Sequence, residues 1–168
     1  MRRSFITLVV FGLVLGGCSA RGIPAPAQPA AAIVSARGLP LGDLTMSTEG
    51  QPPLSLEVEI ADTPEATRTG LMGVAHLPEL QGMVFLSPTG TSSTPFWMKD
   101  TLIPLDIAFW DTEGRVFDIQ QMQPCAAPEA SCPRYQPSAE WAGALEVNLG
   151  VLERNGVREG ARVTLGRR

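Results

Sequence analysis

Residues 102–121 read LIPLDIAFWDTEGRVFDIQQ. Leu102 to Trp110 is a largely apolar run, interrupted early by Pro104 and once by an acid, Asp106. An apolar run of this length, rich in β-branched and aromatic residues and followed by turn residues, reads as a strand. Asp111-Thr112-Glu113-Gly114 has the composition of a turn, and Arg115 to Gln121 reads as the returning strand, with Phe117 and Ile119 on one face. A strand, a turn and a returning strand make a hairpin, and that hairpin sets the reading of the rest.

Toward the N-terminus, Leu54, Leu56, Val58 and Ile60 alternate with Ser55, Glu57 and Glu59, the pattern of a half-buried strand. Asp62-Thr63-Pro64-Glu65 supplies a capping residue, an early proline and a glutamate three positions after Asp62, so a helix is expected to about Thr69 with a stop at Gly70. Gly82 to Leu86 reads as a short strand. Toward the C-terminus, Leu145, Val147 and Leu149 share one face of a strand and Glu146 and Asn148 the other. Val151 to Asn155 is a helical turn closed by Gly156, and Arg162 to Leu165 is a last strand. These elements predict a mainly β (α+β) fold: a compact, antiparallel, partly barrel-like single domain over 43–168, with one or two short helices.

Composition limits the function. The chain has 168 residues, of which 44% are hydrophobic and 18% charged, enough apolar material for a core and too much for wholesale disorder. Its net charge is −4, and Lys99 is its one lysine against twelve arginines. A nucleic-acid binder normally presents a basic face, so nucleic acid is not an expected partner. The sequence has no G-x-S-x-G, phosphate loop, dinucleotide fingerprint or calcium loop. With His76 as the sole histidine, no metal centre and no cofactor are expected.

The first residues carry an address. Arg2 and Arg3 precede an uncharged stretch from Phe5 to Gly16, too short for a hydrocarbon core of about 30 Å, so residues 1–17 read as a signal peptide. Leu15-Gly16-Gly17-Cys18 resembles a bacterial lipobox. That resemblance implies cleavage before Cys18 and a lipid on its sulfur, making the membrane a partner. Ser19 stands where an aspartate would mark inner-membrane retention, so the expected location is the outer membrane, facing the periplasm. Cleavage would leave 11 basic and 17 acidic side chains, a net charge of −6, which gives no electrostatic adhesion to anionic lipid. Residues 18–42, rich in alanine and proline, read as an extended tether. Ile33 and Val34 could alternatively dock on the domain.

In an exported protein the remaining pair, Cys125 and Cys132, reads as a disulfide. A redox pair or metal site would more naturally use C-x-x-C spacing, which is absent.

Several blocks together resemble the bacterial and archaeal family called domain of unknown function 192: Arg68 to Met72, Gly82 to Phe85, Phe96 to Phe109, Pro124-Cys125, Cys132 with Tyr135, and Leu145 to Asn148 followed by Gly150. The resemblance spans about residues 54–165, and the FWMK…T…IPLD block is its most specific part. It implies a compact β-rich fold and no activity, so no functional residue is carried over. Asp100 stands where the family usually has asparagine, and Ala161 where an aspartate commonly follows the glycine. The first departure puts a carboxylate beside Lys99.

The residues themselves suggest where chemistry could sit. Lys99, beside Trp97 and near Asp100 and Asp106, could hold an anionic or carbonyl group, or simply close a tight turn as an ion pair. Asp106, in an apolar strand, is either a polar pocket floor or a buried pair or cap. Arg68 has the fork for a carboxylate or phosphate, or snorkels over the core. Glu146 could pair with Asp106 for acid–base work, or with Asn148 merely face solvent. Trp97, Trp110 and Trp141 form either a sugar platform or core. His76 reads as exposed or capping. The ligand-binding candidates are therefore Arg68, Trp97, Lys99, Asp106, Glu146 and Asn148. The leading expectation is a lipid-anchored binding module for a small ligand or envelope partner. The alternatives are a structural envelope protein without a pocket, and a hydrolase or lyase using Lys99 with Asp106 or Glu146.

Overall fold

The computed structural model describes residues 34–168 except 88, 126, 127, 129 and 130. The expected signal peptide, the Cys18 lipidation site and the tether as far as residue 33 lie outside the described residues.

Among the described residues, nine strands and two short helices follow in the order β1 (Leu41–Ser47), β2 (Leu54–Ala61), α1 (Pro64–Thr69), β3 (Gln81–Leu86), β4 (Phe96–Trp97), β5 (Leu105–Trp110), β6 (Val116–Met122), β7 (Arg134–Tyr135), β8 (Gly143–Asn148), α2 (Val151–Arg154) and β9 (Arg162–Arg167). Seven strands form one curled sheet in the order β6-β5-β8-β3-β2-β1-β9, and β4 with β7 forms a separate ribbon. The two edges of the large sheet approach each other. Val116 N–H donates to the Ala161 carbonyl at 2.9 Å and Val163 N–H to the Gly114 carbonyl at 2.8 Å, while Arg115 bridges Arg162. The fold is thus mainly β and half-barrel, as expected, with one departure from all-antiparallel pairing. β2 and β3 run parallel, joined by a crossover that contains α1.

The sheet buries both faces of its centre. One face carries Leu44, Leu56, Val58, Val84, Leu145 and Val147 and is closed by Val151 and Leu152 of α2. The other carries Met83, Phe85, Leu105, Ile107 and Phe109 and is covered by Leu71, Phe96, Met98 and Trp141. Every residue of β5 is buried, which accounts for its nearly continuous apolar run. Trp110 lies across Gly143, its register partner. A Cβ on that glycine would sit 2.2 Å from the indole ring, so only glycine fits there.

Two local expectations need correction. Phe117 and Ile119 do not share a face: the β5–β6 register shifts between Phe109 and Trp110, and Phe117 is the unmatched residue. This bulge turns Phe117 toward the second cluster while Ile119 packs on the first. The helix cap is Thr63 rather than Asp62. Its hydroxyl accepts from Ala66 N–H at 3.2 Å, and Gly70, with φ 47°, ends the helix. Residues that read as the end of the tether also join the fold. Leu41 and Gly42 begin β1, Val34 bridges Pro40, and Arg37 pairs with Glu59 and donates to the Gly70 carbonyl at 3.0 Å.

Candidate functional site

The residues of the FWMK block are spent in different ways. Lys99 pairs with Asp100, as the ion-pair reading of a turn requires. Asp100 has φ 55°, in the left-handed region that aspartate and asparagine tolerate best after glycine. The turn is pinned from both sides. Asp100 N–H donates to the Cys125 carbonyl (3.2 Å), Cys125 N–H to the Met98 carbonyl (3.2 Å), and Gly73 N–H to the Asp100 carbonyl (2.9 Å).

Asp106 is buried on the α2 side of the sheet. Its Oδ2 accepts from Leu152 N–H at 3.2 Å, while Oδ1 is buried without a hydrogen-bond partner. The N-cap of α2 is Gly150, which has no side chain to offer, so the strand carboxylate does the capping.

Glu146 points the other way. It sits between Met83 and Ile107 on the opposite face, only 4% exposed. No side chain among the described residues hydrogen-bonds to it, and burial pushes its carboxyl up to about 8. The solvent-facing reading of Glu146 is therefore corrected: β8 lies between β3 and β5, and both its faces are covered. Asp106 and Glu146, on opposite sides of the sheet, cannot act as an acid–base pair. Asn148 donates to the Leu77 and Pro78 carbonyls at 2.7 and 3.4 Å and clamps that loop. His76 is exposed.

The tryptophans divide as well. Trp110 belongs to one cluster and Trp141 to the other, both nearly fully buried. Trp97 alone is partly exposed. It faces Arg134 across the β4–β7 ribbon, and the guanidinium Cζ lies 3.9 Å from the ring centroid.

Arg68 and Trp97 do come together. Both line a groove of about 490 Å³ between α1, Leu86 and Ser87, the stretch from Thr89 to Trp97, Arg134 of β7 and Trp141. The apolar wall is Leu86, Phe96 and Trp141, and Thr63, Thr67 and Thr94 also line the groove. A second depression of about 630 Å³ is a shallow strip along β1 and β2 whose acids Asp43 and Glu57 pair with Arg168. The groove is the better-formed site, and its size is that of small-molecule pockets. Arg134 carries no signal in the sequence. It follows a proline- and alanine-rich loop with no period, and nothing local shows that it lands opposite Trp97. Among the described residues, no cluster of His, Cys, Asp or Glu could hold a metal ion.

The Cys125–Cys132 disulfide is formed. It ends two residues before Arg134 and anchors one side of the ribbon to the Lys99 turn. Replacing both cysteines by serine is expected to lower stability by about 2.5 kcal/mol, the loop-entropy value for so short a ring. Urea unfolding of the double variant checks this.

Residues 44–165 fit the model of the family described as "Uncharacterized ACR", domain of unknown function 192 (DUF192). The chain belongs to this DUF192 family. The DUF192 fold recurs in crystal structures. A protein of unknown function from Novosphingobium aromaticivorans DSM 12444 is 28% identical with a TM-score of 0.72, over 85% of this chain and 99% of that one. A candidate transcription regulator from Sinorhizobium meliloti 1021 is 28% identical with a TM-score of 0.68, over 75% of this chain and 94% of that one. Comparison with curated proteins finds no match.

Proposed function

We propose that this DUF192 protein is an exported, lipid-anchored envelope protein whose domain is a binding module, and that its recognition site is the Arg68–Trp97–Arg134 groove. The observation that carries the reading is how the polar residues are distributed. Lys99 closes a turn, Asp106 caps α2, and Glu146 is sealed in the opposite face. Among the described residues no nucleophile and base converge, as a hydrolase or lyase would need. An amphipathic groove remains, which argues against a purely structural role. Anchoring through Cys18 and an outer-membrane, periplasm-facing address rest on the lipobox and Ser19. The regulator description of the S. meliloti protein gains no support here, since the chain is acidic and four of its arginines pair with carboxylates.

The test is a thermal-shift screen of the full chain in nanodiscs with envelope metabolites, sugars, peptides and metals. A native-state ligand raises the unfolding midpoint by mass action. The reading predicts a hit that Trp97→Ala abolishes and Lys99→Ala leaves intact. A hit abolished by Lys99→Ala and kept in Trp97→Ala moves the site elsewhere, and no hit at all removes the binding reading.

A further inference from the structure

We infer that the groove takes a small organic anion, an apolar body carrying a carboxylate or phosphate group; this rests on the binding reading above and names its ligand class.

The sign of the charge comes first. Arg37, Arg154, Arg167 and Arg168 each pair with a carboxylate. Among the described residues Arg68 and Arg134 have no carboxylate partner, yet both are exposed and both line the same groove. The acid in the lining is Asp62, and Arg167 already holds it at 2.8 Å. Among the described residues the groove therefore keeps two uncompensated positive charges, on a chain whose net charge is −4. A cationic ligand would meet repulsion there. An anion would find counter-charges that pay no cost of breaking an existing ion pair.

The chemistry of the charged group follows from the cations being arginines. A guanidinium presents a planar fork that matches the two oxygens of a carboxylate or phosphate. Arg134 is oriented before any ligand arrives, because Trp97 holds it from one side and the ribbon fixes its position. Less side-chain freedom is then lost on binding.

The body of the ligand follows from the walls. Leu86, Phe96 and Trp141 give the groove an apolar side of small-molecule size. A sugar would need an open aromatic face. Trp110 lies outside the groove, Trp141 shows it only a small part of its surface, and Arg134 lies over the ring of Trp97. A compact aryl or alkyl group suits these walls better than a pyranose.

The experiment is isothermal titration calorimetry of the full chain in zwitterionic-lipid nanodiscs with five probes: phenyl phosphate, benzoate, benzyl alcohol, benzylamine and inorganic phosphate. Phenyl phosphate, benzoate or both are expected to bind at least about 10-fold more tightly than benzyl alcohol, and whichever is tighter decides between phosphate and carboxylate. Inorganic phosphate, lacking the body, binds more weakly than phenyl phosphate. Arg68→Ala and Arg134→Ala are each expected to weaken the anion about 10- to 100-fold while leaving benzyl alcohol nearly unchanged. Raising the salt weakens the anions selectively. Both arginines are exposed, so the variants should keep the parent unfolding midpoint, which serves as the folding control. Benzyl alcohol or benzylamine binding as tightly as the anions, or arginine variants without effect, overturns the ligand class and leaves the groove as a binding site. No heat from any probe overturns the binding reading as well.

Discussion

Replacing Glu146 by glutamine is expected to stabilise the protein at pH 7 by about 3 kcal/mol and to flatten its stability between pH 5 and 8. Glu146 lies between Met83 and Ile107, both fully buried, with no hydrogen bond to its carboxyl among the described residues. Burial penalises the charged form and lifts the group from 4.5 to about 8. Between those two values the folded chain keeps a proton that the unfolded chain has released. Stability is therefore greatest below about 4.5 and falls as pH rises through 8, by an amount on the order of 5 kcal/mol over the whole window. Glutamine has nearly the same shape and no charge to form, so that slope disappears. Urea unfolding of both proteins at pH 5, 6, 7 and 8 reads the effect directly. The two curves should converge at pH 5 and diverge steadily above it; parallel curves would mean that Glu146 ionises freely in the folded protein.

The same residue shows where the sequence is silent. Alternation of Leu145, Glu146, Val147 and Asn148 marks a strand and says that its two faces differ. It does not say that the polar face meets water. That depends on β8 lying between β3 and β5, and on Phe96, Leu71 and Met98 folding over the second face from distant parts of the chain. The β5–β6 hairpin was legible because its apolar run, its turn and its return are all local. The bulge at Phe117 was not, since one unmatched residue leaves no mark in composition. The parallel β2–β3 pair is a related case. The strand, helix and strand are each readable, but whether β3 runs beside β2 is a question of topology. At the site, Arg68 and Trp97 were visible as residue types, and the disulfide as an even cysteine pair. Arg134 was hidden because its meaning comes from a cross-strand partner 37 positions away, at Trp97. Lys99, conspicuous as the chain's one lysine, pairs with its neighbour Asp100 in the turn.

Phe96→Ala should destabilise the protein by about 3–5 kcal/mol, the usual cost of truncating a buried aromatic, and should abolish groove binding even where the fold survives. Phe96 is the point at which the β4–β7 ribbon meets the large sheet. Its ring contacts Phe85 edge-on at 5.0 Å, Phe109 at 5.4 Å and Trp141 at 5.4 Å. These contacts hold Trp97, its chain neighbour, and therefore Arg134 at the mouth of the groove. The disulfide and the Lys99–Cys125 bridge also fasten the ribbon, but the short cystine ring contributes only about 2.5 kcal/mol. The aromatic cluster should thus matter more than the covalent link. Phe96→Leu, which keeps an apolar body, should cost less and retain part of the binding. Near-UV circular dichroism tells the effects apart. Trp141 touches Phe96 and should lose its signal, whereas Trp110, in the cluster on the other face, should keep its own. A loss below about 1 kcal/mol would mean that the disulfide and the backbone bonds position the groove, and that the aromatic cluster only fills space.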